Sequence, residues 1–112
     1  FVFLALAGGC PPPVPAGAGL HRFAASPDRL FLGQEAEIRY RDLSLGEPVL
    51  LLHGFADRLE TMEALADSLA PTHRVIALDL RGFGSSSKFS DPARYGQAML
   101  NDVLALMDHL GI

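Results

Sequence analysis

The sequence contains little cysteine and little positive charge. Its one cysteine, Cys10, excludes an intrachain disulfide and a cysteine-based zinc cluster. Lysine and arginine together number 9 against 13 aspartates and glutamates, so the formal net charge is −4 at pH 7. No basic stripe interrupts this acidic balance, which argues against a nucleic-acid partner and against electrostatic docking on an anionic membrane. The hydrophobic fraction of 49% is nevertheless too high for a disordered chain and predicts one small folded domain.

Residues 1–20 carry no charge, and the apolar run at residues 1–7 is too short to cross a bilayer. Small residues precede Cys10, and a proline-rich stretch follows it. This pattern matches a secretory signal without its basic start, and Cys10 stands where a bacterial lipobox cysteine would receive its lipid. We therefore predict a signal-like segment and linker over residues 1–20, with secretion or lipid anchoring at a bacterial cell envelope. The alternatives are ordinary signal cleavage after residues 5–7 and a free thiol in a disordered tail.

The folded domain is predicted over residues 21–112 and begins with an antiparallel edge hairpin. Apolar and charged residues alternate over residues 35–41, a period of two that is typical of a strand with one solvent-exposed face. A short apolar run at residues 30–32 precedes this strand, and the Gly33-Gln pair between them suits a tight turn. Residues 49–52 are apolar throughout, which predicts a strand covered on both faces.

Two helical patterns complete the domain. Residues 57–70 place apolar side chains at helical spacing, and Asp57 with Glu60 has the form of a capping box. Residues 75–78 predict a second buried strand, and Asp91 is predicted to open a second helix. The order is therefore strand-strand-strand-helix-strand-loop-helix. It predicts an α/β fold with an antiparallel edge hairpin and a parallel βαβ core.

The two core strands are each followed by an unusual loop, at residues 53–56 and 79–87. Parallel sheets bind ligands at the carboxyl ends of their strands, where both loops lie. Gly54 lets the backbone turn without a side chain blocking the cleft, which leaves the amide of Phe55 free to point into it. A backbone donor of this kind stabilises the oxyanion of an acyl-transfer intermediate. The amide of Phe55 is therefore placed where such a donor could act.

These loops resemble those of the α/β-hydrolase family. Residues 48–55, PVLLLHGF, are similar to that family's third strand and oxyanion loop, and residues 79–86, DLRGFGSS, are similar to its D-x-R-G-x-G-x-S loop. The resemblance covers roughly residues 30–112 and implies a partial, truncated α/β-hydrolase fold that stops before the nucleophile strand. It implies that the Phe55 amide is one oxyanion-hole donor, that His53 and Gly54 shape its loop, and that His53 is not the catalytic histidine. The side chain of His53, which stands at the end of a strand, is predicted to hydrogen-bond to backbone. Ala56 stands where epoxide hydrolases and dehalogenases of the HGxP branches have proline, which favours esterase, lipase-like or carbon–carbon bond hydrolase branches.

The loop at residues 79–87 gives little support to a nucleotide site. Gly82 and Gly84 form G-x-G, but Ser87 stands where the dinucleotide fingerprint has its third glycine, and the P-loop frame is missing. No G-x-S-x-G elbow exists in the sequence, so no serine is placed as a nucleophile. The glycines are predicted to permit a tight turn that Asp79 and Arg81 tie together. The scattered histidines form no metal-ligand set, so neither a metal nor a cofactor is predicted.

These observations predict the N-terminal part of a hydrolase that acts on an ester or related acyl bond of a small-molecule substrate. The resemblance implies that a serine nucleophile, with aspartate or cysteine left open, lies downstream of residue 112 together with its acid and histidine. The chain alone is therefore expected to be inactive. The main alternative is a non-catalytic protein of the same fold that binds a small apolar ligand or a protein partner. A nucleotide-binding βαβ protein is the weakest alternative.

Overall fold

The computed structural model describes residues 2–5 and 22–112. The strands within these residues are β1 (Val2–Ala5), β2 (Arg29–Leu32), β3 (Glu37–Leu43), β4 (Glu47–Leu52) and β5 (His73–Leu78). The α-helices are α1 (Glu63–Leu69) and α2 (Gln97–His109), and short 3-10 helices lie at Phe23–Ala25, Leu59–Met62 and Pro92–Arg94. None of the helices described here has the length and apolar character needed to cross a membrane.

One mixed sheet organises the domain in the order β1-β4-β5-β3-β2. β4 and β5 are parallel, with Val49 opposite Val75, and α1 lies between them in the chain. β3 runs antiparallel to β5, and β2 pairs antiparallel with β3 at the outer edge. The predicted edge hairpin and parallel βαβ core are both confirmed.

The sheet is covered on both faces, which explains why β4 and β5 lack a polar face. Alternate residues of these strands enter two separate core clusters. One cluster joins β4 and β5 to α1 and the preceding 3-10 helix, and it includes Val49, Leu51, Val75, Ala77, Leu59, Met62 and Ala66. The other joins the same strands and β3 to α2, and it includes Leu50, Ile76, Leu78, Ile38, Tyr40, Val103 and Leu106.

The other edge of the sheet is formed by β1, which pairs antiparallel with β4. The sequence analysis predicts no strand at residues 2–5, because it assigns them to the signal-like segment. An apolar segment can pair here because β4 otherwise presents unpaired backbone N–H and C=O groups. Cys10 lies outside the described residues, so its lipidation stays a prediction.

The capping box predicted at the start of the first helix is wrong. Asp57 accepts a hydrogen bond from the adjacent N–H of Arg58, and Glu60 turns away to bind Arg39. A tertiary contact replaces the local one, because the N–H of Leu59 donates to the buried carboxylate of Asp79. The segment therefore opens as a 3-10 helix and becomes α-helical only at α1.

The prediction of a solvent-exposed face for the strand at residues 35–41 is also wrong at the centre of that strand. Arg39 of β3 is only 7% exposed, because it lies between the carboxylates of Asp79 and Glu60. An alternating pattern identifies which side chains share a face, but it does not show that an acid covers that face. The predicted second helix is present, although Asp91 caps the 3-10 helix at Pro92–Arg94 and α2 starts later.

Candidate active site

An apolar cavity of about 530 Å³ lies at the carboxyl ends of β4 and β5. Its wall is formed by the loop after β4, the loop after β5 and the start of α2: residues 53–55, Leu80, Gly82, Phe83, Tyr95 and Met99. Two parallel strands that end side by side create this opening, because their following loops diverge. The structure thus brings the predicted residues His53, Gly54 and Phe55 together on one cavity wall.

The loop after β4 presents the backbone of Phe55. The carbonyl of Gly54 accepts a hydrogen bond from the N–H of Asp57 at 3.2 Å, which closes a tight turn. Within the described part of the chain, the N–H of Phe55 makes no hydrogen bond. The Phe55 side chain is 93% exposed, and its ring meets Phe83 edge-to-face at a centroid distance of 5.7 Å. Phe55 therefore lines the cavity with a backbone N–H that has no hydrogen-bond partner within the described residues.

The backbone at Ala56 distinguishes this loop from a proline-bearing one. Ala56 has φ of 60°, in the left-handed region that alanine rarely adopts. The proline ring holds φ near −65°, so proline cannot occupy this position without changing the loop. The alanine at residue 56 is thus accompanied by a backbone φ that proline cannot adopt.

Both ring nitrogens of His53 are engaged by backbone groups, as the sequence predicts. Nε2 accepts a hydrogen bond from the N–H of Leu80 at 2.9 Å, so Nδ1 carries the proton that is donated to the Gly54 carbonyl at 2.8 Å. The ring also meets Phe83 edge-to-face at 5.4 Å. His53 therefore joins the loop after β4 to the loop after β5 and positions them, and neither nitrogen is free to act as a base.

Asp79 is fully buried at the end of β5, and three donors converge on its carboxylate. Oδ1 accepts from the N–H of Leu59 at 2.7 Å. Oδ2 accepts from Nε of Arg39 at 2.6 Å and from the N–H of Ser85 at 2.9 Å. One side chain therefore connects β3, the start of the first helical segment and the glycine-containing loop. Sequence reasoning missed this contact, although a charged residue in the middle of β3 was a signal for it.

Glu60 completes the ion-pair network around Arg39. Its two carboxylate oxygens accept from Nη1 and Nη2 of Arg39 at 2.6 and 2.8 Å, a bidentate arrangement. Burial would lower the pKa of Arg39, but its hydrogen bonds to Glu60 and Asp79 outweigh burial and raise that pKa. Hydrogen bonding to Arg39 lowers the pKa of the Glu60 carboxyl. Nη1 of Arg39 also lies 3.3 Å from a carboxylate oxygen of Asp28, so Arg39 stays charged while it holds three acids from different segments.

The prediction that Asp79 and Arg81 together fasten the turn is confirmed for Asp79, which accepts from the N–H of Ser85, whereas Arg81 binds elsewhere. Arg81 donates from Nε and Nη2 to both carboxylate oxygens of Asp102 on α2, at 2.7 and 2.9 Å. Hydrogen bonding to Asp102 raises the pKa of Arg81. The N–H of Phe83 donates to the Leu80 carbonyl and closes a tight turn with Arg81 and Gly82 at its centre. Asp79 binds Arg39 on β3, whereas Arg81 binds α2.

The serines of the loop after β5 have structural partners. Ser86 Oγ donates to the Asp79 carbonyl at 2.6 Å and accepts from the N–H of Arg39 at 2.9 Å. Ser87 Oγ accepts from the N–H of Glu37 at 2.9 Å. These bonds attach the loop to β3 and agree with the expectation that neither serine is a nucleophile. In the described residues, no group of three or more His, Cys, Asp or Glu side chains is arranged to hold a metal ion.

Replacing Gly84 with alanine is expected to destabilise the complete protein. Gly84 has φ of 54°, and an added Cβ would clash with the Asp79 carboxylate. Because both left-handed strain and overpacking contribute, we expect the free energy of unfolding to fall by about 2–4 kcal/mol in a urea titration.

Gly111→Ala is the matched control for this substitution. Gly111 has φ of 72°, but a Cβ added there would meet no atom of the described residues within 4 Å. Replacing Gly111 with alanine should therefore lower the free energy of unfolding only through the strain of the left-handed backbone, by about 1–2 kcal/mol. Equal losses for the two variants would show that the Asp79 carboxylate does not restrict residue 84.

Comparisons with known proteins agree with this geometry. The profile of a family described as the alpha/beta hydrolase fold matches residues 47–112. A fluoroacetate dehalogenase from Burkholderia sp. is 43% identical over 70 residues, which cover 59% of this chain and 23% of the relative. Lipase 3 from Moraxella sp. is 49% identical over 43 residues, which cover 38% of this chain and 13% of the relative.

Solved structures show the same similarity in three dimensions. An epoxide hydrolase from Vigna radiata superposes with a TM-score of 0.75 at 25% sequence identity, covering 80% of this chain and 29% of that one. The chain thus spans less than a third of the length of each of these proteins. Their names refer to three different reactions.

Proposed function

The chain belongs to the α/β-hydrolase fold family, and from this membership we propose that the complete protein hydrolyses an ester or a related acyl bond. The observation that carries the proposal is the N–H of Phe55, which makes no hydrogen bond within the described residues and belongs to the wall of an apolar cavity at the ends of β4 and β5. An apolar wall accommodates the hydrocarbon part of an acyl group, and a backbone N–H stabilises the negative oxygen that forms when its carbonyl is attacked.

The chemistry divides between this chain and segments beyond residue 112. The Phe55 N–H is the oxyanion donor, while Gly54 and His53 hold the loop that presents it. The nucleophile, its histidine base and the supporting acid are supplied downstream. The nucleophile gives its proton to the histidine and attacks the carbonyl carbon, and the N–H stabilises the resulting tetrahedral oxyanion. Collapse breaks the ester C–O bond, and the histidine returns the proton to the departing alcohol, which leaves an acyl-enzyme. Water, deprotonated by the same histidine, then attacks the acyl-enzyme and releases the carboxylic acid and the free nucleophile.

The loop backbone supports acyl chemistry over the reactions of two named relatives. The left-handed conformation of Ala56 excludes the proline of the HGxP branches, in which epoxide hydrolases and dehalogenases are found. Lipase 3 from Moraxella sp., by contrast, carries the name of an ester hydrolase. The second candidate, a non-catalytic protein that binds a small apolar ligand, is favoured by the same cavity and is decided by the same experiment.

The experiment is a substrate panel on the complete protein, with p-nitrophenyl esters, an aryl epoxide and fluoroacetate. We expect ester hydrolysis and loss of that activity after one equivalent of a fluorophosphonate reacts with the nucleophilic serine. Epoxide or fluoroacetate turnover without ester hydrolysis would contradict the proposal. A folded protein that turns over no substrate and resists the phosphonate, but binds alkyl ligands, would support the non-catalytic alternative.

The proposed attachment of the protein to a membrane through Cys10 has a separate test. Cys10→Ser in the full precursor should abolish labelling by a fatty-acid probe, because only the thiol accepts the lipid. Labelling that persists in this variant would contradict the lipoprotein proposal.

A further inference from the structure

The polar atoms of the side chains on the cavity wall are already bound within the protein. Both ring nitrogens of His53 are engaged by backbone groups. The hydroxyl of Tyr95 donates to the Phe89 carbonyl at 2.7 Å and accepts from the Phe89 N–H at 2.9 Å. The side chains of Leu80, Phe83 and Met99 present only hydrocarbon and sulfur. The group that contacts this wall is therefore recognised through apolar surface.

Tyr95, like His53, is a side chain of the wall that hydrogen bonds to backbone hold in place. Its hydroxyl is held by the two backbone bonds to Phe89, and its ring covers Gly82. A Cβ at residue 82 would lie 2.5 Å from Cε1 of Tyr95, so only glycine permits the ring to lie there. The Phe89 ring packs edge-to-face on Tyr95, and the guanidinium of Arg94 lies 4.2 Å above the Phe89 ring. The phenol ring is therefore a rigid part of the wall.

We propose that Tyr95 determines the length of the hydrocarbon group that the cavity accepts. The ring stops an acyl chain that enters along the wall, because moving it would break two hydrogen bonds and displace the loop at Phe89. Met99 is unbranched and adapts to the shape of a ligand, whereas Tyr95 does not. The substrate class is an uncharged ester with an alkyl chain that is limited in length by Tyr95. This inference rests on the proposed function, because its kinetic test requires that the complete protein hydrolyses esters.

The test compares Tyr95→Ala with the wild-type complete protein on p-nitrophenyl acetate, butyrate, octanoate and laurate. Each further methylene that becomes buried should raise kcat/KM by about fourfold. In the wild type this gain should stop where the chain reaches Tyr95. In the variant it should continue for about two more carbons, so kcat/KM for the longer esters should rise by about 10- to 20-fold relative to acetate.

Three variants separate the ring from other effects. Tyr95→Phe keeps the ring but removes the two hydrogen bonds that hold it, so it should shift the length preference less than Tyr95→Ala does and should melt at a lower temperature than the wild type. Leu100→Ala changes an α2 side chain that is 51% exposed and outside the cavity wall, and should leave the length preference unchanged. Tyr95→Leu replaces Tyr95→Ala if the latter does not fold. An unchanged preference in the folded Ala or Leu variant, or an equal change in Tyr95→Phe, would overturn the inference.

A binding measurement distinguishes failure of this inference from failure of the proposed function. Calorimetric titration with linear alkyl methyl ketones of increasing length requires no turnover. Tighter binding of the longer ketones by Tyr95→Ala, with the wild type showing no such gain, supports the length limit even if esters are not hydrolysed. Identical length profiles in the two proteins would overturn it even if esters are hydrolysed.

Discussion

Replacing Phe55 with proline should lower kcat of the complete protein by about 10²–10³-fold, the effect of losing one oxyanion-hole donor. Proline has no N–H, and the wild-type N–H makes no hydrogen bond within the described residues. The substitution therefore removes the proposed catalytic donor without breaking another backbone hydrogen bond of the described residues, although it also removes the ring that contacts Phe83. Because the lost bond strengthens in the transition state, KM should change much less than kcat.

Phe55→Ala is the matched control, since it keeps the backbone donor and removes only the side chain. The Phe55 ring is almost fully exposed, so its loss should affect stability little and should act on substrate fit. Thermal melting of all three proteins shows whether the proline variant keeps its fold. Equal losses of kcat in two folded variants would rule out the Phe55 N–H as an oxyanion donor.

Replacing Asp79 with alanine should reduce the free energy of unfolding by about 3–5 kcal/mol, the cost of removing one partner of a buried ion pair. The substitution leaves the buried Nε of Arg39 without its acceptor. It also leaves the N–H groups of Leu59 and Ser85 without their acceptor. Asp79→Asn keeps the shape of the side chain and one acceptor oxygen, so it should reduce the free energy of unfolding by less than Asp79→Ala does. Urea titration of the complete protein measures all of these values.

Asp42→Ala provides the control for the Asp79 prediction. Asp42 also forms a bidentate pair with an arginine, Arg74, at 3.0 and 2.8 Å, but both side chains are partly exposed. Solvent screening limits the contribution of such a pair to about 0–1 kcal/mol. If the Asp79 variant were destabilised no more than the Asp42 variant, the convergence of donors at Asp79 would not stabilise the fold.

Much of the fold could be predicted because it depends on short-range patterns. The alternation in β3, the apolar runs of β4 and β5, and the helical spacing of α2 each identify an element without knowledge of its partners. The loop of His53, Gly54 and Phe55 could also be predicted, since a glycine directly after a buried strand is a local signal. The placement of both loops at one end of the sheet then follows from the parallel βαβ connection.

The errors occurred where a distant side chain replaced a local partner. The form of a capping box at Asp57 and Glu60 did not produce one, because Asp79 binds the Leu59 N–H and Arg39 binds Glu60. Arg39 likewise lies in a polar-looking alternation but is buried by acids from other segments. Such pairings depend on tertiary geometry, which one sequence does not specify.

The cross-links between the two cavity loops have a consequence for protein engineering. His53 binds the backbone of both loops, and Asp79 binds both the second loop and the segment that follows the first. A loop transplanted from a relative would meet mismatched partners unless residues 53–59, residues 79–87 and Arg39 were exchanged together. These segments form one transferable module, although they are far apart in the chain. Chimeras that exchange the whole module should express and melt like the parent, whereas single-loop chimeras should not.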